Sequence, residues 1–228
     1  YVIDGSLYIN NGVTLTIDPG VVVKSASTAA LVSGSGALLC NGTEAQPVVF
    51  TSIKDDAHGG DTNNDGSASA PAKGDWRGIL LENAASRLTA TEVLYAGSFS
   101  SDGGVILRSS AVLDRVKVTH SGGYGIDVES GSPTITGCVL EDVTGIGVPI
   151  ASGSPTLTGN VFEGAMPAAI SISPSAQPVL SGNTGSGWNH RITLASPRSA
   201  SYRLTKEPIP YVIDGSLYIN NGVTLTID

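Results

Sequence analysis

The sequence predicts an all-β solenoid, a single chain wound into a parallel β-helix, and three observations carry that expectation. Short apolar triplets alternate with Gly-, Asn- and Pro-containing corners, and no segment sustains a helical period. The composition is sparse in charge (14%) and aromatics (5%) but holds 29 Gly, which suits many short strands joined by tight turns. From residue 122 the chain repeats itself at 22 residues. Ile126, Val128, Gly131, Ser132, Pro133, Thr134, Ile135, Gly137, Val139 and Leu140 align with Val148, Ile150, Gly153, Ser154, Pro155, Thr156, Leu157, Gly159, Val161 and Phe162. A period of that length, with three short strands and no helix, fits one rung of a β-helix. One rung cannot bury its apolar face alone, so stacked neighbours make the core.

In chain order, the triplets Leu7–Tyr8–Ile9, Leu15–Thr16–Ile17 and Val21–Val22–Val23 turn at Asn11-Gly12 and Pro19-Gly20. Such corners alone would also suit antiparallel hairpins; the later period decides for stacked rungs. Looser copies contain Ile79, Leu81, Leu88, Thr91 and Val93, then Ile106, Leu113, Val116 and Val118. A copy with one inserted residue follows, with Ile170, Ile172, Pro178, Val179, Leu180, Gly182 and Asn183. Residues 1–210 therefore hold roughly eight rungs of about 22 residues, rising roughly 40 Å at the interstrand spacing. Val116, Cys138, Asn160 and Asn183 fall in one column, expected to face inward or line a corner, with the two amides stacked. Cys40 and Cys138 sit in apolar runs without metal or disulfide spacing and read as small buried hydrophobes.

Residues 1–18, YVIDGSLYINNGVTLTID, recur without one difference at 211–228. Packing tolerates apolar swaps, so identity is no fold requirement. It indicates a duplicated unit: residues 1–210 form one repeat and 211–228 begin the next. An engineered or circularly rearranged chain is the alternative. The net charge of −8 becomes −6 without Asp214 and Asp228 of the second copy, which argues against a nucleic-acid partner. No apolar run reaches the length of a membrane span.

One insertion, residues 53–75, breaks the rung pattern. Asp61, Asn63, Asp65, Gly66 and Ser67 spell D-x-N-x-D-G-S, the opening half of an EF-hand-type calcium loop. Alternate oxygen-bearing side chains on a curled backbone converge on one hard cation, and a long loop needs something to order it. Ala72 stands where the bidentate Glu belongs, leaving Asp55, Asp56 or Asp75 to fill the gap from across the loop. The expected ligand set for a structural calcium is Asp61, Asn63, Asp65, Asp56 and Ser67; the competing reading is a solvated loop of turn formers.

Catalytic signals are weak. His58, His120 and His190 lack a Ser or Cys nucleophile context and are expected at the surface or in loops. The acidic pairs Asp55–Asp56 and Glu141–Asp142 are expected to face solvent, and Arg87, Arg108, Arg115 and Lys117 form no motif. The SGSG run at 33–36 reads as a turn, and the two Trp, 76 and 188, lie too far apart in sequence to suggest an aromatic platform. The chain is expected not to be an enzyme.

The stretches GSLYINNGVTLTIDPGVVVK (5–24), ALVSGSGALLCNGTEAQPVVFTS (30–52) and GDWRGILL (74–81) resemble bacterial right-handed parallel β-helix repeat proteins. The resemblance covers most of residues 1–165 and implies a right-handed coil, in line with the general rule for parallel crossovers. It also implies an extracellular or cell-surface setting. The fold itself hosts lyases, hydrolases and inert stalks alike. The expected function is a structural repeat unit of an extracellular filament, sheath or adhesin stalk, with neighbouring copies of the same repeat as partners, head to tail. Surface polysaccharide or other cells are further candidate partners. The alternative is a calcium-assisted β-helix that binds or cleaves polysaccharide.

Overall fold

The computed structural model describes residues 1–26, 30–32, 34–99, 102–187 and 189–228, so Ser33 of the SGSG run and Trp188 lie outside the described residues. Three faces in about 22 residues leave room only for strands of two to five residues. Sheet A is built from Val2–Ile3, Val22–Ser25, Val48–Ser52, Thr91–Leu94, Lys117–Thr119, Val139–Glu141, Val161–Glu163 and Thr184–Gly185. Sheet B runs through Leu7–Tyr8, Ala30–Val32, Gly78–Leu81, Gly103–Leu107, Tyr124–Val128, Val148–Ile150, Ile170–Ile172, Ile192–Leu194 and Tyr211–Val212. Sheet C contains Thr14–Ile17, Ala37–Asn41, Arg87–Thr89, Val112–Asp114, Thr134–Thr136, Thr156–Thr158 and Val179–Ser181. Neighbours in sheets A and C, and in sheet B as far as Ile192–Leu194, have two strands between them in sequence and pair in parallel; a further two-stranded parallel sheet joins Tyr202–Leu204 to Leu225–Ile227. The chain is a right-handed parallel β-helix. Its longest sheet has nine strands, slightly more than the roughly eight rungs expected, because Tyr211–Val212 adds to the ladder.

Because register is conserved from rung to rung, apolar side chains stack on apolar side chains. In sheet A the inward column is Val23, Phe50, Val93, Val118, Leu140 and Phe162. In sheet C it is Ile17, Cys40, Leu88, Leu113, Ile135, Leu157 and Leu180. Burial pushes the thiols of Cys40 and Cys138 up to about 12, so both are inert fillers of the core. At the A–B corner a side chain would collide with the sheet A column. A Cβ on Gly125 would sit 2.4 Å from Leu140 Cδ2, and one on Gly147 would sit 2.8 Å from the Phe162 ring.

Two corners turn through left-handed backbone. Leaving sheet C these are Ala90, Arg115, Gly137, Gly159 and Gly182; leaving sheet A they are Tyr95, His120, Asp142 and Gly164. Ala90, Tyr95, Arg115, His120, Gly137, Asp142 and Gly159 still donate their N–H groups to the next rung, as in Arg115 to Thr136 O (2.9 Å) and His120 to Glu141 O (3.2 Å). The ladder is thereby continuous around the bend.

Beside the sheet C corner an amide ladder replaces apolar packing. Asn160 Oδ1 accepts from Cys138 N (2.9 Å), while Asn160 Nδ2 donates to Ile135 O (3.0 Å) and Asn183 Oδ1 (2.9 Å). Asn183 repeats the pattern, donating to Leu157 O (3.0 Å) and to Glu207 Oε2 (3.3 Å). Both asparagines are fully buried.

The second copy of the duplicated segment stacks on the rung before it. Ile192 and Thr193 pair with Tyr211 and Val212, Tyr202–Leu204 with Leu225–Ile227, and Arg198 bridges Ile219. The two copies differ at their first strand, since Val2–Ile3 lie in sheet A whereas Tyr211–Val212 lie in sheet B. Pro208 and Pro210, which cannot donate to a ladder, occupy the stretch before Tyr211–Val212, where Pro210 O accepts from Ile192 N (2.9 Å). Arg198, fully buried, braces this boundary: its guanidinium donates to Ser173 O and Ala176 O and lies 5.4 Å over the Tyr202 ring.

Replacing Asn160 by Ala takes the side-chain acceptor from the buried Cys138 N–H and removes the bonds to Ile135 O and Asn183 Oδ1. We expect it to cost about 2–4 kcal/mol in urea unfolding, whereas a change at exposed Val179 should cost far less.

Candidate functional site

The insertion leaves sheet A after Ser52 and returns to sheet B before Gly78. Its feet are fixed by two carboxylates. Asp55 is buried, accepting from Thr51 Oγ1 (2.6 Å) and Ala57 N (3.1 Å) and pairing with His58 Nδ1 (2.8 Å). Asp75 accepts from Ser52 Oγ (2.7 Å), Lys54 Nζ (2.8 Å) and Ala72 N (3.0 Å). Trp76, fully buried, donates its indole N–H to Leu94 O at 2.8 Å and anchors the return. Asp55 therefore faces inward rather than toward solvent, because the loop folds back over its own start.

The loop is a strap laid along the A–B corner. Lys24, one rung earlier, donates to Gly60 O, and Lys73 reaches Asp142 at 2.8 Å, three rungs beyond the strap's own. At its outer bend lie Asp56, Asp61 and Asp65, whose carboxylate oxygens come within 4.8 Å of one another. Asp61 accepts the N–H groups of Asp65 (3.1 Å) and Gly66 (2.8 Å), curling the backbone about itself. Asn63 Nδ2 donates to Asp65 Oδ2 (2.8 Å) and Ser69 Oγ (3.0 Å). Of the expected ligands, Asp56, Asp61, Asn63 and Asp65 gather here. Ser67 is exposed, and the hydroxyl that joins the group is that of Ser69. Asp55 and Asp75 are held at the strap's feet.

A second constellation escaped sequence reasoning. The left-handed corner residues Tyr95, His120 and Asp142 stand in register on successive rungs. The Tyr95 and His120 rings stack at 5.2 Å, His120 Nε2 lies 3.7 Å from Asp142 Oδ2, and Lys73 closes the column from the strap. Burial raises the Tyr95 phenol, with the charges of Asp55 and Asp75 adding to it. The next rung uses Gly164 at this position. Three residues with side chains thus occupy a conformation that glycine adopts without cost. The repeat alone gave no sign of this, since a non-glycine αL residue looks like any other. His190 lies in the loop between Thr184–Gly185 and Ile192–Leu194, one of the two places expected for it, and is buried there.

On sheet B, Asp127 is buried on the face opposite Ile126 and Val128. Burial pushes its carboxyl up to about 7, reinforced by Glu129 and Asp102 and opposed by Arg108. Arg77 pairs with Asp102 (3.2 Å), and Arg108 pairs with Glu129 (2.5 Å) and Glu82 (3.2 Å), forming a charged rim.

A comparison with protein families supplies the wider context: the model for the pectate-lyase-like β-helix domain matches residues 1–123, more than half of the chain. The chain belongs to this family. The match takes in the strap, Tyr95 and His120, and stops before Asp127 and Asp142. Searches among curated proteins and among solved structures found no match.

Asp127 gives a pH prediction. Its folded-state carboxyl, near 7, holds a proton that the unfolded chain gives up near 3.8. Stability therefore falls as pH rises from about 4 to about 7 and is flat above. Asp127→Asn removes that loss, so thermal unfolding should show a gain of several degrees at pH 8 that disappears at about pH 4.

Proposed function

We propose that this chain is a module of a continuous β-helical rod, the structural repeat of an extracellular filament, sheath or adhesin stalk. The observation that carries the reading is the continuity of the ladder through the duplicated segment. Ile192 and Thr193 pair in parallel with Tyr211 and Val212, Tyr202–Leu204 with Leu225–Ile227, and Arg198 bridges Ile219, so the second copy stacks on the rung before it. In the first copy Ile9 and Ile17 are only 4% and 9% exposed, packed beside the strands Ala30–Val32 and Ala37–Asn41 of the next rung. Burying one such Ile contributes about 1.5–3 kcal/mol. An interface that fits the top of one unit to the bottom of the next does not close on itself and extends into a rod. It also covers strand edges that would otherwise invite stray pairing.

A second reading, a polysaccharide-binding or polysaccharide-cleaving β-helix, draws support from the family and from the Tyr95–His120–Asp142 column with Lys73. An activity would show as depolymerisation of acidic or neutral polysaccharides, abolished by His120→Ala.

A chain carrying two units, residues 1–210 followed by residues 1–228, should be longer in small-angle scattering than the single chain by roughly 40 Å, with an unchanged cross-section. Two compact bodies joined by a flexible link would contradict the rod.

A further inference from the structure

We infer that the outer bend of the strap holds one calcium ion, bound by Asp61, Asn63 and Asp65 from the D-x-N-x-D-G-S run and by Asp56 from outside it. Two independent features of the site support this. The first is the gathering of three carboxylates within 4.8 Å, where like charges repel unless something positive stands between them. Among the described residues none of the three forms an ion pair: Lys54 and Lys73 are turned to Asp75 and Asp142.

The second is a set of oxygens with nothing to bond to. Asp56 Oδ1, Asn63 Oδ1 and Asp65 Oδ1 are all shielded from solvent and have no hydrogen-bond partner. An amide oxygen is among them, so this is not merely an acidic surface. Leaving one buried acceptor unpaired is costly, and leaving three within one short loop calls for a shared partner. That partner must be cationic and must accept oxygen ligands alone. A hard cation such as calcium meets both conditions, and the absence of His and Cys from the group disfavours zinc.

The geometry also repairs the defect in the motif. Asp61, Asn63 and Asp65 take the first, third and fifth positions of an EF-hand-type loop, and Ser69 the ninth, which commonly acts through water. Ser67 falls at the seventh, where such loops use the backbone carbonyl, which accounts for its exposed hydroxyl. The carboxylate missing at Ala72 is supplied by Asp56, which the turn fixed by Asp55 brings back to the bend. With calcium in place the strap would be clasped at its free end as well as at its feet, across the rungs from Lys24 to Asp142.

The test is a calorimetric titration of the EDTA-stripped chain with calcium chloride, beside trypsin digestion, which reads the strap at Lys54 and Lys73. We expect one site per chain with a dissociation constant on the order of 10⁻⁴–10⁻³ M, as in extracellular calcium modules, and slower cleavage at Lys73 with calcium. Asp56→Asn and Asp65→Asn should each weaken binding by roughly tenfold, with far-ultraviolet circular dichroism in EDTA unchanged. Asn63→Asp, which keeps an oxygen ligand, should retain binding. No heat and no protection at about 10 mM calcium would overturn the inference. So would full affinity in both Asp variants, which would mean an adventitious ion only. The wild-type titration is decisive even if a variant fails to fold.

Discussion

Everything in this molecule depends on the parallel ladder between rungs. Each strand must offer the next one the same spacing of N–H and C=O groups, so register is inherited up the helix and side chains are forced into columns. The column Val23, Phe50, Val93, Val118, Leu140, Phe162 exists because the register never slips along sheet A. The same constraint explains the corners. A turn that bent away from the ladder would orphan its N–H, so Tyr95, Arg115, His120 and Asp142 accept left-handed backbone and keep donating upward. Where polar residues enter the interior, as at Asn160 and Asn183, they too conform to the stacking and bond rung to rung.

The ladder also explains how the fold tolerates a long insertion. The strap leaves at the A–B corner and returns in register, so the strands either side of it still pair: Val48–Ser52 with Thr91–Leu94, and Gly78–Leu81 with Gly103–Leu107. Free of the ladder, the strap lies along the outside of several rungs. It brings Lys73 to Asp142 and sets Asp55 and Asp75 near Tyr95. Chemistry-bearing groups concentrate on that edge, where the repeat is broken, while the uniform rungs contribute shape and rigidity.

Much of the fold was legible in the sequence. The 22-residue period gives the rungs, and aligning its copies put Cys138, Asn160 and Asn183 in one column, as the structure has them. The site was legible only in part. Residue types at alternate positions marked Asp61, Asn63 and Asp65, and Asp56 was one of three candidates to complete them. The inward turn of Asp55, the role of Ser69, and the Tyr95–His120–Asp142 column depend on backbone conformation, which the residue names do not encode. The different placement of Val2–Ile3 and Tyr211–Val212 is a clearer case still. Identical residues lie in different sheets there, so the residue names alone do not settle the strand.

The central claim is that the rungs run without interruption through the boundary between one unit and the next. Electron microscopy of the native assembly tests it most directly. The account predicts an unbroken rod with axial density every 4.8 Å or so and a longer repeat of roughly 40 Å. Discrete particles, or rods whose ladder breaks once per unit, would contradict it.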